Sequence, residues 1–374
     1  MYRILNLFGW LFPLKRNKVI FNNCNGLGYG CNPKYIAESM LKDGKFEIIW
    51  IVDRTKNIDR TNFPSKIKLV NIDSFSSLYH LFTSKIIISN VRSNFWNWYK
   101  KRKHQIYIQT WHGGLGLKKV EADCKNLPLA YINIAKTDAT NTDFMLADSK
   151  FQQQEVLERA FWYNGPICNF GLPRHDIFFR DNKSIKNKVL RALNINKNVK
   201  ICMYAPTFRD GYSMDVYNLD YKGVRDALTD KFGGNWVVLS RLHPNMIKVD
   251  NILPDLSYVY DASKYPDMQE LLAASDIVIS DYSSCLLDFM ITKRPGFIFA
   301  TDIDSYIKER DFYISLYEFP FQISTSNDEL ICNIKNFDIN AYTQSVSSFL
   351  IDKGLYDNGT ASQQFLKLLK RISK

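Results

Sequence analysis

The sequence predicts an α/β protein built from two Rossmann-like halves facing a cleft. Three observations predict it. Strand-sized apolar runs alternate with amphipathic segments, the pattern of a parallel sheet covered by helices. The alternation pauses in the polar stretch Arg180–Lys200 and then restarts. The length, 374 residues, suits two domains, at roughly 100–200 residues each.

In chain order, strands are expected at Lys18–Asn22, Glu47–Val52, Lys66–Val70, Lys85–Ser89, Ile106–Gln109 and Phe144–Ala147. Helical patterns at Pro33–Leu41, Ser74–Phe82 and Lys150–Ala160 lie between them. Asn32-Pro33 is a good helix start, because proline is pre-set for the first helical position. After the pause come strands Lys200–Tyr204, Trp236–Ser240, Asp276–Ser280 and Phe297–Ala300. Helices are expected at Lys222–Lys231, Met268–Ala274, Ser283–Ile291 and Ala361–Ile372. The division is therefore an N-terminal segment (1–17), a first Rossmann-like domain (18–180), a linker region (181–199) and a second Rossmann-like domain with a C-terminal helix (200–374).

Composition excludes several classes. Apolar residues make up 46% and charged residues 23%, which rules out a disordered, collagen-like or coiled-coil chain. No stretch approaches the roughly 18 apolar residues of a membrane span. Seven scattered cysteines without a C-x-x-C pair argue against a disulfide framework or a structural zinc site. The net charge of +11 favours an anionic partner. The motifs G-x-x-x-x-G-K-[ST], H-E-x-x-H and G-x-S-x-G are absent.

Two aromatic and basic stretches invite a membrane reading. Phe8, Trp10, Leu11 and Phe12 precede Lys15, Arg16 and Lys18, which suits a helix lying in a bilayer interface. Trp96, Trp98 and Tyr99 precede the four cations from Lys100 to Lys103, which suits anionic headgroups or stacked bases. The plainer alternative for both is that the aromatics pack on the fold.

The residues that could carry chemistry fall at expected strand ends, where open α/β sheets bind ligands. His112 follows the strand Ile106–Gln109 and precedes Gly113 and Gly114, so a titratable imidazole lies beside backbone that a ligand can approach. His243 follows Trp236–Ser240, with Arg241 alternating to the same side, which suits a diphosphate. Ser283 and Ser284 open a helix after Asp276–Ser280, where hydroxyls and free N–H groups favour an anion; Asp281 could accept from a ligand hydroxyl. Thr207 and Arg209 follow Lys200–Tyr204 and could contact phosphate. The loop Gly26-Leu27-Gly28-Tyr29-Gly30 lacks full dinucleotide spacing and reads as a loop for acceptor approach, or only a turn. His80, His104 and His175 read as structural or surface residues.

These pieces come in a recognisable order: Thr110-Trp111-His112-Gly113, Gly171-Leu172-Pro173-Arg174-His175-Asp176, Ala205-Pro206-Thr207-Phe208-Arg209-Asp210, Leu242-His243-Pro244, and Ser280-Asp281-Tyr282-Ser283-Ser284 with Asp288-Phe289 and Lys293-Arg294-Pro295. The sequence resembles the CDP-glycerol glycerophosphotransferase family, the teichoic acid glycerol- and ribitol-phosphate primases and polymerases. The resemblance implies a GT-B fold and metal-independent transfer of an alditol phosphate from a CDP-alditol donor, without a cofactor. The acceptor it implies is a polyprenyl-diphosphate-linked glycan, met by a peripheral enzyme at the cytoplasmic face of an anionic membrane in teichoic acid or capsule-type synthesis. Nucleic acid is not an expected partner. On this reading His112 and His243 are catalytic. Thr207, Arg209, Arg241, Asp281, Ser283 and Ser284 bind the donor in the second domain. Gly28, Gly113 and Gly114 line the acceptor side in the first.

The chain departs from the family after His112-Gly113, where Gly114-Leu115-Gly116-Leu117-Lys118 replaces a Thr-Pro-Leu-Lys-like run, and after Tyr313, where an acidic stretch is missing. These changes bear on the acceptor pocket and on recognition of the alditol, so glycerol and ribitol both stay open. The alternative is a nucleotide-sugar glycosyltransferase of the same architecture.

Overall fold

The structure is a computed structural model that describes residue 9 and residues 11–209, 214–242 and 253–374. The chain divides into two compact units. The first comprises Met1–Gly114, Val120–Asp176 and Leu355–Lys374; the second comprises Leu115–Lys119 and Ile177–Gly354.

Among the described residues, the first unit holds a seven-stranded parallel sheet in the order β3-β2-β1-β4-β5-β6-β7. Its strands are β1 (Lys15–Asn22), β2 (Glu47–Val52), β3 (Lys68–Asn71), β4 (Ser84–Ser89), β5 (Ile106–Gln109), β6 (Phe144–Leu146) and β7 (Ile167–Cys168). The Val and Ile runs form strands because both faces are covered. Successive side chains of β1 point to opposite faces. Val19 and Phe21 join one core with Ile36 and Met40 of α1 (Cys31–Asp43), whereas Ile20 joins another with Leu78, Leu81 and Phe82 of α2 (Phe75–Thr83). Ser74 caps α2 in a reciprocal capping box with Ser77. A further helix, α3 (Leu129–Asn141), precedes β6, and the expected helix at 150–160 is π-helical over Gln152–Leu157.

The second unit repeats the plan. Among its described residues a six-stranded parallel sheet runs β10-β9-β8-β11-β12-β13. The strands are β8 (Lys200–Ala205), β9 (Trp236–Ser240), β10 (Val259–Asp261), β11 (Ile277–Ser280), β12 (Gly296–Phe299) and β13 (Gln322–Ser324). In both sheets the order reverses beside the first strand, β1 or β8. The C-terminal strand ends there are the switch points at which such folds bind ligands. The expected α/β class of two Rossmann-like domains is borne out.

The expected boundaries need correction in three places. The stretch 181–199 is expected to hold a short amphipathic helix and does, but this helix, α4 (Asn182–Ala192), is part of the second unit rather than a link between domains, fixed there by Lys186–Asp276 (2.6 Å) and Lys188–Glu270 (2.7 Å). The C-terminal helix Ala361–Ile372 belongs to the first unit, not the second, because Phe365 and Leu369 enter the core of Val19, Phe21 and Met40. It is fastened by Asp176, which accepts from the backbone N–H groups of Ala361 (2.9 Å) and Ser362 (2.8 Å). Phe365 is fully buried. Phe365→Ala is therefore expected to destabilise the first unit by about 3–5 kcal/mol, read as a shift in urea midpoint; a loss under ~1 kcal/mol would detach this helix from the core.

The third correction concerns the aromatic stretches. The N-terminal segment 1–17 overlaps β1, which starts at Lys15. Phe12 packs on Phe82 (centroids 6.0 Å) and Tyr79 (5.7 Å) of α2. Residues 1–8 and Trp10 lie outside the described residues. In the second stretch Trp96 and Tyr99 are buried: the Trp96 indole donates to Asp138 (2.7 Å) and the Tyr99 hydroxyl to the Leu81 carbonyl (3.0 Å). These rings are core, leaving the neighbouring cations Lys100 and Lys103 exposed. Among the described residues no helix is long and apolar enough to cross a membrane.

Candidate active site

In the first unit, loops after β1, β4 and β5 meet at the switch point. The loop after β1 turns at Gly26 (φ +89°), where a Cβ would lie 2.6 Å from the Asp53 backbone nitrogen, so only glycine fits. Gly28 (φ +132°) also needs glycine's freedom, and its carbonyl accepts from Asn23 (2.9 Å) and the Trp50 indole (3.2 Å). Asn23 in turn takes a hydrogen bond from the Asn90 side chain (2.8 Å), and the Cys24 N–H donates to Asn90 (2.8 Å). Asn90 is thereby fixed at the end of β4.

Asn90 fixes His112. The Nδ1 of His112 lies 2.7 Å from the Asn90 backbone carbonyl oxygen. A carbonyl only accepts, so Nδ1 carries the hydrogen and Nε2 keeps its lone pair. His112 is an exposed residue whose bond to Asn90 is part-buried. Desolvation and the charge of Arg174 lower its pKa from the ordinary histidine value, against the opposing bond to Asn90. The imidazole is therefore neutral at pH 7 and able to take a proton at Nε2.

The turn carrying His112 is held from several sides. Trp111 adopts a left-handed φ of +53°, an uncommon conformation for a bulky residue. Its N–H donates to Gln109 (3.0 Å), and the Asn32 amide donates to the carbonyls of Thr110 (3.3 Å) and Trp111 (3.1 Å). Gln152 donates to the Gly113 carbonyl (2.7 Å). Gly113 is half-buried and Gly114 buried. Beneath lies a buried network: Arg92 bridges Glu121 (2.8 Å) and Asp138 (3.1 Å), and Asp138 also accepts from Tyr107 (2.8 Å) and Gln109 (3.1 Å). The roles of Asn90, Asn32, Gln152 and Arg92 gave no sequence signal, because each acts through a partner far along the chain.

In the second unit, the residues expected to bind the donor sit after β8, β9 and β11. Thr207, Arg209 and Asp281 are brought together, chiefly by binding one another. Asp281 accepts from the Thr207 N–H (3.0 Å) and hydroxyl (2.6 Å) and pairs with Arg209 (2.9 Å). The Arg209 guanidinium also pairs with Asp302 (2.5 Å), which receives the Tyr282 hydroxyl (2.9 Å). Burial opposes the charge on Arg209, but the two carboxylates outweigh it and raise its pKa. Ser283 caps the helix Ser284–Met290, accepting from the Cys285 N–H, and the half-buried Ser284 is its first residue. Arg241 donates to the carbonyls of Ala262 (2.7 Å) and Ser263. His243 lies outside the described residues.

The same cluster contains a residue that the sequence reading used only as a departure. Lys118 lies 5.2 Å from the centre of the Tyr306 ring, which itself stacks on Tyr282 at 3.8 Å.

The other histidines are structural or surface. His80 is buried, and desolvation lowers its pKa to about 4; His104 is exposed. Buried His175 bonds Asp357 (2.8 Å). With Asp148 these two bring ligand-type atoms within 4.8 Å of one another. Asp357 also accepts from the Leu172 N–H (2.8 Å) and Asp148 from the Ser149 hydroxyl (2.9 Å), so the group works as a clasp on the C-terminal segment. All seven cysteines are free thiols.

Comparison with known proteins shows the family. The model of the family described as CDP-Glycerol:Poly(glycerophosphate) glycerophosphotransferase matches residues 4–371. A teichoic acid poly(glycerol phosphate) polymerase of Bacillus subtilis (strain 168) is 30% identical over 97% of this chain, which spans about half (50%) of that polymerase's length. A teichoic acid glycerol-phosphate transferase of Staphylococcus aureus (strain NCTC 8325 / PS 47) is 28% identical over 95% of this chain and 93% of its own. A structure of the wall teichoic acid polymerase TagF, soaked with CDPG, is 29% identical with a TM-score of 0.83, over 96% of this chain and 90% of that one.

Proposed function

The chain belongs to the CDP-glycerol:poly(glycerophosphate) glycerophosphotransferase family, and from that premise we propose that it transfers an alditol phosphate, glycerol phosphate or ribitol phosphate, from a CDP-alditol to an acceptor hydroxyl, releasing CMP. The observation that carries this reading is His112: its Nδ1 is bound to Asn90, which leaves Nε2 free to accept. The acceptor is a lipid-linked glycan or growing polymer of teichoic acid or capsule-type synthesis. The protein works as a peripheral enzyme at the cytoplasmic face of the membrane, a reading supported by its basic charge and its relatives' wall polymers.

Nε2 of His112 takes the acceptor's hydroxyl proton. The oxygen forms a bond to the phosphorus bearing the alditol, and the bond from that phosphorus to the bridging oxygen breaks, so CMP leaves with the electron pair. Arg241 and His243 offset charge on the diphosphate, and Ser283 and Ser284 hold its oxygens. Thr207, Arg209 and Asp281 frame this donor site through their mutual bonds, which fix the loops after β8 and β11.

The deciding experiment incubates the protein with CDP-glycerol, CDP-ribitol and nucleotide sugars on a lipid-linked glycan and follows phosphorus NMR. A new phosphodiester with CMP is expected; UDP or GDP with a glycosidic product would overturn the reading. The acid limb of kcat/KM is expected below the usual histidine pKa of about 6.5, because His112 is lowered. Activity falls as pH drops through that lowered pKa. A limb clearly above it would remove His112 as the base.

A further inference from the structure

We propose that Lys118 is a donor-binding residue that holds the diphosphate of the CDP-alditol; this rests on the phosphotransferase reading above. The segment Leu115–Lys119, which follows the His112 turn in sequence, is part of the second unit. It forms an antiparallel bridge between Lys118 and Phe312, with backbone bonds from Lys119 to Asp311 (2.9 Å) and from Tyr313 to Leu117 (3.0 Å). This ribbon brings the Lys118 ammonium over the Tyr306 ring, 5.2 Å from its centre. Among the described residues the ammonium makes no hydrogen bond or ion pair.

The charge around it is unbalanced. Asp281, Arg209, Arg310 and Cys285 act on Lys118 electrostatically. The oxygens of Asp281 are already occupied by Thr207, Arg209 and the Tyr282 N–H, and Arg209 is further held by Asp302. A half-buried cation on an aromatic floor, beside a carboxylate that is already satisfied, is a site for an added anion. It lies on the unit whose strand-end residues Ser283 and Ser284 are assigned to the diphosphate. In support, desolvation first and then the nearby Arg310 and Arg209 bring the Lys118 pKa down to about 8, against the pull of Asp281. An arriving diphosphate reverses that balance and keeps the ammonium protonated.

The test titrates CDP-glycerol, CDP-ribitol, CDP and CMP into the whole protein and into Lys118→Gln and Lys118→Arg, from pH 7 to pH 9. Wild type is expected to prefer the diphosphates over CMP, and to lose affinity for them as pH rises through about 8. Lys118→Gln should weaken diphosphate binding roughly tenfold or more, leave CMP binding nearly unchanged and abolish the pH step. Lys118→Arg should restore binding without the step, because arginine stays charged. Wild-type diphosphate affinity in Lys118→Gln, or a pH step that persists there, overturns the assignment while the phosphotransferase reading stands. No binding of either CDP-alditol by folded wild type overturns both.

Discussion

His112→Ala is expected to slow CMP release by about 10²–10⁴-fold, the usual contribution of a positioned general base, while binding of the CDP-alditol is retained. The reason is specific to Nε2. The bond between Nδ1 and the Asn90 carbonyl fixes the ring and its tautomer, and desolvation with the Arg174 charge keeps it unprotonated near neutrality. His112→Asn sharpens the test, since an amide can still donate to the Asn90 carbonyl but cannot accept the proton. Both variants should fail alike in turnover measured by CMP release. Near-normal turnover in His112→Asn would mean that only the shape of the turn matters, and turnover within threefold of wild type in His112→Ala would eliminate the base.

Arg92→Leu is expected to cost about 3–5 kcal/mol, the typical penalty for leaving a buried charge without its partner. The Arg92 side chain is 3% exposed and its partners Glu121 and Asp138 are 1% and 0% exposed. Against a total stability of roughly 5–15 kcal/mol, that would leave the first unit marginal at pH 7. Urea unfolding of wild type and variant at pH 7 checks this. A loss below ~1 kcal/mol would contradict the account.

The sequence was most legible where both sheet faces are buried. Ile48–Val52 and Ile86–Ile88 are such runs, and β2, β5 and β9 match the expected bounds. It was least legible at sheet edges: β7, β10 and β13 are two or three residues long, too short to show a period. In the helix Ile339–Asp352 Ser and Thr separate the buried Tyr342, Val346 and Leu350, which dilutes an otherwise helical spacing. The candidate site was legible as positions at strand ends, because that depends on order along the chain. What each side chain touches was not. Arg209 reads as a free cation until Asp302, 93 residues later, is folded against it. Trp96 reads as a membrane aromatic until Asp138, 42 residues later, takes its indole hydrogen. A local pattern gives composition and direction, while partners across the fold decide whether a charge or ring is available.

The division of the chain also bears on how the molecule is made. Peptide links pass from one unit to the other at 114–115, 119–120, 176–177 and 354–355. Neither unit is therefore a contiguous stretch of gene, and no single cut yields either of them whole for swapping into a relative. During synthesis the strands of the first sheet emerge well before the helix bearing Phe365 that closes their core. The first sheet must wait, with an apolar face uncovered, until that helix has left the ribosome. A nascent chain stalled before residue 355 should thus expose that face to chaperones although most of its own strands are already present.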